Sequence, residues 1–510
     1  MILSNQPTPI QAGDATIYLT GLLMYREEPA GEASALAFLE DFDRGTARFD
    51  DCTGPYRVRI VYPDGREVYF GDNAAIMRWY IGPKGFRTSL REAAPDGRTP
   101  NESGIIQFLS YGFICGPETV VREVRRSDPG KYYVVKNGQI EEKEKNLTPL
   151  EELDVPEDEL ARQMRRFSKA VAGREDVVCT ITGGVDSRVL LSHMIHNGLR
   201  PRLDITGKPT DADVVIAKKI AERLEAELLF VEETPEGENW IDEAIREADG
   251  MIGVCGIYRL YKKAAVLQKE GIALECGGFN GEMYKNYFLE QDYPFYGGKP
   301  NWERYLRNKI YPYDFPTGVY GPRLTGTLKK VPEATLKWLR TCTGKTKASS
   351  YLTAGHYEFQ GMGGAVLAMN ARYYIPYTPF MERNVAAPAL RRNPYTMEME
   401  AFHREQVSTY CPAIKDIETN HGVTCNDRAK SAIYVKNMGV RLLINTPLWQ
   451  NIRRGKEMKG RVDACFREGL SSPQYQAALA RCKKLGIIAS DVADLPAGIA
   501  DRVFALGTIL

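Results

Sequence analysis

One stretch of the chain, Val177–Gly198 (VVCTITGGVDSRVLLSHMIHNG), constrains the fold more than any other. It begins with a short β-branched run, Val177–Thr182, which is typical of a buried strand. Gly183 and Gly184 then allow a sharp turn, and Asp186 opens a helical pattern. A strand that leads through glycines to a helix N-terminus presents free N–H groups and the positive end of the helix dipole, which suit phosphate. A purely structural strand–turn–helix is the alternative interpretation.

Composition excludes several classes of protein. The 510 residues carry 67 Lys and Arg against 66 Asp and Glu, so no basic field favours nucleic acid. Ten cysteines are scattered without a C-x-x-C pair, which favours reduced, buried thiols over disulfides or zinc. No apolar run approaches the roughly 18–20 residues that span a bilayer, and the N-terminus lacks a signal-peptide pattern. We therefore expect a cytoplasmic protein of two or three domains that binds neither nucleic acid nor membrane.

After the glycine turn, strand and helix patterns alternate. Leu203–Gly207 and Leu228–Val231 read as strands, and Asp213–Ala226 between them reads as a helix. This alternation predicts an α/β fold with a parallel sheet and helices on both of its faces. Ligands of such sheets bind beyond the carboxyl ends of the strands, so Thr182 and Thr206 are expected to lie side by side.

The first 150 residues show strand patterns instead. Tyr56–Tyr62 and Glu67–Phe70 flank a Pro-Asp-Gly turn and predict a β-hairpin, and Lys131–Val135 precedes an Asn-Gly turn typical of a second one. Leu147–Pro156 is polar, contains two prolines and predicts a linker. Glu157–Ala172 then has the apolar spacing of a helix.

Two motifs resemble the asparagine-synthetase family. Residues 182–187, TGGVDS, resemble the pyrophosphate loop S-G-G-x-D-S of enzymes that cleave ATP between its α- and β-phosphates. Residues 276–282, CGGFNGE, follow another predicted strand and are similar to the family's second loop, S-G-x-G-x-D-E. The resemblance implies a glutaminase-like αββα (Ntn-type) domain over residues 1–150. It also implies a pyrophosphatase-type α/β domain with helical additions over residues 157–510.

The resemblance further implies ATP and Mg²⁺ as cofactors. It assigns nucleotide binding to Thr180, Thr182, Gly183, Gly184, Asp186, Ser187, Thr206, Gly207 and Gly277. The family holds Mg²⁺ with one carboxylate from each loop, because pyrophosphate is a highly charged leaving group. Asp186 fits the first loop; Gly281 occupies the place of the second aspartate, so the neighbouring Glu282 is the expected ligand, with a surface glutamate as the alternative. Arg372 is expected to orient a substrate carboxylate or, equally well, to form a structural ion pair.

The N-terminal domain departs from the family pattern at its nucleophile. Active members carry a cysteine directly after the initiator methionine, whereas Ile2, Leu3 and Ser4 stand here. The first cysteine, Cys52, falls at a strand start and is expected to be buried, and Ser4 would need unusual processing to act. We therefore expect no glutaminase activity and a role in packing, substrate shaping or dimerisation, with a homodimer as one possibility.

The second departure concerns the family's catalytic lysine. Aligning the helix pattern His403–Ile417 on its proline puts Asn420-His421-Gly422 where the lysine-bearing turn belongs. Candidates for the missing cation are His421, Lys430 and Lys415. Together with Glu282, the first two complete the expected catalytic set.

The favoured function is that of an ATP-dependent amide ligase. Such an enzyme adenylates a small-molecule or peptide carboxylate, releases pyrophosphate and transfers the acyl group to an amine. Family members that lack the nucleophile, such as β-lactam synthetases and lasso-peptide cyclases, favour a biosynthetic substrate over aspartate. Two alternatives are a nucleotide-binding regulator without catalysis and a sulfur- or tRNA-modifying enzyme of the same loop superfamily.

Overall fold

The computed structural model of the protein describes residues 4–233, 239–310, 317–426, 431–443, 446, 464–492 and 494–510. Within these residues the fold is mixed α/β, with one parallel five-stranded sheet and several antiparallel sheets. The predicted α/β class is therefore confirmed at this level. The finer assignment to an αββα domain followed by a pyrophosphatase-type domain stays a prediction.

The N-terminal part is built on an antiparallel sheet of six strands in the order β1-β2-β5-β6-β10-β11. Its strands, with those of two small neighbouring sheets, are β1 Thr8–Ala12, β2 Ala15–Gly21, β3 Met24–Tyr25, β4 Cys52–Thr53, β5 Tyr56–Val61, β6 Glu67–Gly71, β7 Tyr80–Gly82, β8 Gly85–Arg87, β9 Arg125–Arg126, β10 Lys131–Lys136 and β11 Gln139–Glu144. The helices of this part are α1 Glu32–Asp43, α2 Leu90–Ala93 and α3 Glu102–Tyr111. Both predicted hairpins are confirmed, because β5 pairs antiparallel with β6 and β10 with β11.

The parallel sheet forms the centre of the second part. Its strands are β12 Val177–Thr180, β13 Arg202–Gly207, β14 Leu228–Glu232, β15 Leu274–Cys276 and β16 Ile375–Tyr377. The helices before and between the first four strands are α4 Glu159–Ala170, α5 Asp186–His196, α6 Ala212–Leu224, α7 Trp240–Ala248 and α8 Val254–Lys269. All strand pairs are parallel, in the order β14-β13-β12-β15-β16, which confirms the prediction. The first strand ends at Thr180, two residues before the predicted end.

Helices dominate the remainder of the chain. They are α9 Trp302–Tyr305, α10 Lys330–Leu339, α11 Lys347–Met362, α12 Gly364–Asn370, α13 Arg383–Arg391, α14 Ala401–Tyr410, α15 Ser431–Leu443, α16 Ala464–Ser471, α17 Pro473–Lys484 and α18 Ala497–Ile509. Helix α14 is shorter than the predicted His403–Ile417 because Pro412 follows it closely and starts a separate 3-10 turn. None of the helices within the described residues combines the length and the apolar character that crossing a bilayer requires.

The predicted linker, residues 147–156, is packed against the second part of the chain. Leu150 and Leu153 are buried. Arg391 at the end of α13 donates hydrogen bonds to the carbonyls of Leu153 (3.1 Å) and Val155 (2.6 Å). Proline content correctly indicated an irregular backbone here, but the two leucines within it dock the segment on α13.

One hydrophobic core joins the N-terminal and C-terminal parts. Phe108 and Leu109 of α3 are fully buried and belong to the same cluster as Phe504 and Leu506 of α18. A separate cluster lies between α1 and the six-stranded sheet, with Phe38 at its centre. The ten cysteines are free, and Cys52 is buried at the start of β4, both as predicted.

A buried carboxyl group also connects the two parts. Glu382, at the N-terminus of α13, accepts a hydrogen bond of 2.8 Å from the backbone N–H of Gly54. Burial, and secondarily the nearby Asp72, raise the pKa of Glu382 to about 8. The carboxyl group is therefore protonated in the folded protein at neutral pH and ionised in the unfolded chain.

This difference predicts a pH-dependent effect of Glu382→Gln. Stability that depends on the protonated carboxyl is fully present below pH 4.5 and is lost as pH rises towards 8, because the unfolded chain ionises first. The glutamine keeps the oxygen that faces Gly54 without this loss. We expect the variant to match the wild type at pH 4.5 and to exceed it by about 2–5 kcal/mol near pH 8.5 in urea unfolding. Glu405→Gln, on an exposed face of α14, is the control; equal behaviour of both variants at both pH values would contradict the prediction.

Candidate functional site

The two glycine-rich loops meet at one edge of the parallel sheet. From β12 the chain builds β13 and β14 on one side, and then β15 and β16 on the other. The strand order therefore reverses at β12 and β15, and crevices of this kind bind ligands in open α/β sheets. Residues 182–187 follow β12, and residues 277–282 follow β15. The structure thus brings the two predicted loops together.

The loops approach so closely that only glycine fits at two positions. A Cβ atom at Gly278 would lie 2.6 Å from the backbone nitrogen of Ser187. A Cβ atom at Gly281 would lie 2.1 Å from Asp186 Oδ1. The first turn of α5 consequently rests on the second loop, and the Asp186 carboxylate occupies the space in which a side chain of residue 281 would begin.

Arg188 connects the first glycine loop to residues 417 and 418 through buried hydrogen bonds. It is fully buried on α5, and its guanidinium donates hydrogen bonds to the carbonyls of Ile417 (2.7 Å), Glu418 (3.0 Å) and Gly183 (3.2 Å). The backbone N–H of Asn420 also donates to the Gly183 carbonyl (3.0 Å). The turn that alignment placed at the family's lysine position therefore does lie against the first glycine loop.

The amides of the first loop are engaged by groups of the protein itself. Gly183 donates to Asp213 Oδ1 at 3.1 Å, and Gly184 donates to Thr182 Oγ1 at 3.2 Å. Thr182 in turn donates its N–H to Ser187 Oγ at 3.1 Å. An anion that binds these amides has to replace the Asp213 carboxylate and the Thr182 hydroxyl as acceptors.

Thr180 and Thr206, both predicted to bind nucleotide, have hydroxyl groups in different surroundings. The Thr180 hydroxyl is surrounded by Asp204, Glu275 and Lys263, which form a buried ionic cluster. The hydroxyl of Thr206, near the end of β13, is buried and has no hydrogen-bond partner among the residues that the structure describes.

Gly207 and Gly277 complete the set of predicted nucleotide-binding residues. Gly207 is the last residue of β13 and lies against Val214 of α6. Gly277 donates its N–H to the carbonyl of Tyr377 (2.9 Å), and a Cβ atom built on it would meet nothing within 4 Å. Open space therefore remains at the end of β15.

Asp186 is paired with two basic side chains. Lys285 Nζ lies 2.6 Å from Asp186 Oδ2, and His403 Nε2 lies 2.8 Å from Oδ1, although the latter contact lacks the alignment of a hydrogen bond. Burial raises the pKa of Asp186, but His403 and Lys285 together outweigh it and lower the pKa to about 2. Asp186 is therefore an anion whose two oxygens both face basic groups.

A cavity of about 360 Å³ lies beside this ion pair. Its lining includes Glu282, Lys285, Glu400, His421 and Arg441. The structure thereby brings together Glu282 and His421, two of the three side chains predicted to be catalytic. Burial and the charge of Asp186 raise the pKa of Glu282, with Lys285 and His403 opposing them.

The arrangement does not fit the magnesium site that the family resemblance implies. Both oxygens of Asp186 are turned towards Lys285 and His403, and a cation at Asp186 would be repelled by the ammonium group. Within the described segments, no three His, Cys, Asp or Glu side chains are grouped so that they could hold a metal ion. Magnesium binding by Asp186 and Glu282 remains a prediction that this donor set does not favour.

Neither Arg372 nor Lys415 lines this cavity. Arg372 forms ion pairs with Glu247 (3.0 Å) and Asp249 (3.3 Å), which corresponds to the structural alternative stated above. Lys415 is exposed, and Lys430 lies outside the described residues.

Sequence reasoning missed the three basic residues that shape the site. Lys285 lies three residues after Glu282, a spacing that places both on one side of a helical turn and was available from the sequence. His403 and Arg188 reach the site only through the packing of α14 and α5, which no local pattern specifies.

No protein-family model matches this chain, and none of the curated proteins matches it. The resemblance to asparagine synthetases therefore stays a prediction from the two loop motifs, at residues 182–187 and 276–282.

Removing the Arg188 guanidinium should destabilise the protein. Arg188→Met removes the three hydrogen bonds that the buried guanidinium donates to backbone carbonyls, and we expect a loss of about 1–4 kcal/mol in the free energy of unfolding. Arg200→Met is the matched control, because Arg200 is exposed and donates only to nearby carbonyls. Urea unfolding of both variants tests the expectation, and a loss no greater than that of the control would refute it.

Proposed function

We propose that this protein binds ATP at the carboxyl edge of the parallel sheet and uses it to activate a carboxylate for amide-bond formation. The observation that carries the proposal is the meeting of two glycine loops at the strands β12 and β15, where the strand order reverses. Glycine loops before a helix N-terminus are suited to phosphate. The open space at Gly277 and the unpartnered Thr206 hydroxyl supply room and a polar contact for the nucleoside.

The proposed reaction has two steps. In the first, a carboxylate oxygen attacks the α-phosphorus of ATP, the bond to the bridging oxygen breaks, and pyrophosphate leaves. In the second, an amine attacks the acyl carbon, loses a proton, and AMP leaves with the electrons of the acyl–oxygen bond. Lys285 stands next to the first loop and offers positive charge to the phosphates.

The cavity beside Lys285 is suited to the amine. Its carboxylates, Glu282 and Glu400, attract an ammonium group, and Glu282, whose pKa is raised by burial and by Asp186, is the candidate general base. His421 lines the same cavity and is the second group able to exchange a proton there. The substrate class is therefore a carboxylic acid activated at the loop and an amine held in the cavity.

A second candidate function is nucleotide binding without catalysis. It is favoured by the engagement of the loop amides with Asp213 and Thr182, and by the absence of a lysine at Asn420. Both candidate functions require ATP to bind at the same edge of the sheet. They differ in whether the protein converts the bound ATP to AMP and pyrophosphate, as the ligase does and the regulator does not.

The experiment is ATP–pyrophosphate exchange with a panel of carboxylic acids, combined with direct measurement of ATP binding. We expect exchange with at least one class of acid. Gly277→Val should weaken ATP binding by about 10-fold or more, because it fills the space at the end of β15 that the nucleoside needs. Gly97→Ala is the control, since its added methyl group also meets nothing within 4 Å and lies in the N-terminal part.

The outcomes separate the two functions. Exchange that Gly277→Val reduces and Gly97→Ala leaves unchanged supports the ligase. Tight ATP binding without exchange or AMP for any acid supports the regulator. ATP binding that is insensitive to Gly277→Val, with a correctly folded variant, contradicts the proposed site.

A further inference from the structure

Next to Asp186, which the family resemblance makes a metal ligand, lies an ammonium group of the protein itself. Lys285 Nζ lies 2.6 Å from Asp186 Oδ2 and 3.5 Å from Glu400 Oε1. An ammonium group between two carboxylates occupies the electrostatic role of a small cation that bridges them. The residue is only partly exposed, at 16% of its side chain, so solvent weakens this field less than it does at the surface.

The geometry of the second glycine loop leaves no room for a second aspartate beside Asp186. The Asp186 carboxylate lies where a Cβ atom of residue 281 would be, so an aspartate at this position is excluded sterically. Lys285 follows in the same loop, and its N–H donates to the Glu282 carbonyl at 3.0 Å, which closes the turn. The turn thus directs an ammonium group, instead of a second carboxylate, towards Asp186.

Lys285 also retains the capacity to bind an anion. Its ammonium carries three N–H donors and gives one hydrogen bond, to Asp186 Oδ2, within the described part of the chain. The same side chain lines the cavity shared with Glu282 and His421. A phosphate oxygen can therefore accept a hydrogen bond from Lys285 without breaking its pair with Asp186.

We infer that Lys285 is a tethered cation that replaces the divalent metal at Asp186, so that the polyphosphate chain of ATP, and inorganic pyrophosphate, bind here without Mg²⁺. This inference rests on the proposed nucleotide site. It makes Lys285 a phosphate-binding residue and makes Asp186 its counter-ion, where the resemblance makes Asp186 a metal ligand.

The test is calorimetric titration of the full-length protein with inorganic pyrophosphate and with ATP, in EDTA and separately in excess Mg²⁺. The wild type should bind both ligands in EDTA, with affinities within about threefold of those in Mg²⁺. Lys285→Met should lose at least about tenfold in EDTA, since a preorganised charged donor is removed. Lys269→Met is the matched control: it removes the same charge from the exposed end of α8, before β15 and hence at the opposite edge of the sheet.

Asp186→Asn distinguishes the two roles of the carboxylate. If Asp186 is a counter-ion, the substitution frees the Lys285 ammonium group, and pyrophosphate and ATP should bind in EDTA with unchanged or higher affinity. If Asp186 is a metal ligand, the substitution should abolish the binding that requires Mg²⁺. Thermal unfolding of each variant establishes that the fold is retained, and the double variant Asp186→Asn/Lys285→Met, which removes both charges together, replaces Lys285→Met if the latter unfolds.

Two results overturn the inference, and they differ in meaning. Binding that appears only with Mg²⁺ and that Asp186→Asn abolishes leaves the nucleotide site in place and removes the tethered cation. Failure of ATP and pyrophosphate to bind in either medium contradicts the proposed function itself.

Discussion

The candidate site depends on the contact between the first turn of α5 and the second glycine loop. Because a Cβ atom has no room at Gly278 or Gly281, the loop reaches the helix backbone and directs Asp186 towards Lys285. Arg188, two residues after Asp186 on α5, donates hydrogen bonds to the first loop and to the carbonyls of residues 417 and 418. Loop, helix and turn therefore form one unit, and the charges at its surface are set by the backbone beneath them.

The electrostatics of this unit are balanced within the protein. Asp186, Glu282 and Glu400 bring negative charge to one region, and Lys285 opposes it from the centre. Carboxylates crowded in this way raise one another's pKa unless a cation lies between them. Here the groups that approach Asp186 most closely hold its pKa low, whereas Glu282, one position beyond the glycine, has a raised pKa. Asp186 and Glu282, which lie on the two adjoining loops, thus have pKa values shifted in opposite directions.

The parallel sheet and both hairpins could be predicted from the sequence because each is specified by a local pattern. Strand and helix periods determined β12, β13 and β14, and turn residues such as Asn137 marked the hairpins. The family resemblance also implied that the two glycine loops meet, since it assigns one metal-binding carboxylate to each loop. The pairing of Asp186 with His403 did not follow, because His403 lies on α14, whose docking depends on tertiary packing. Tertiary packing also decides the structure of residues 147–156, which were predicted to be a linker but are docked through the buried Leu150 and Leu153.

The shared core between α3 and α18 has a consequence for biosynthesis. Phe108 and Phe504 lie almost 400 positions apart in the chain, yet they belong to one buried cluster. A chain emerging from the ribosome can complete its first sheet early, because all six strands of that sheet lie within residues 8–144. The part of α3 that packs on α18 lacks this partner until the final helix has been synthesised. During this interval the nascent chain exposes apolar surface that is buried in the folded protein.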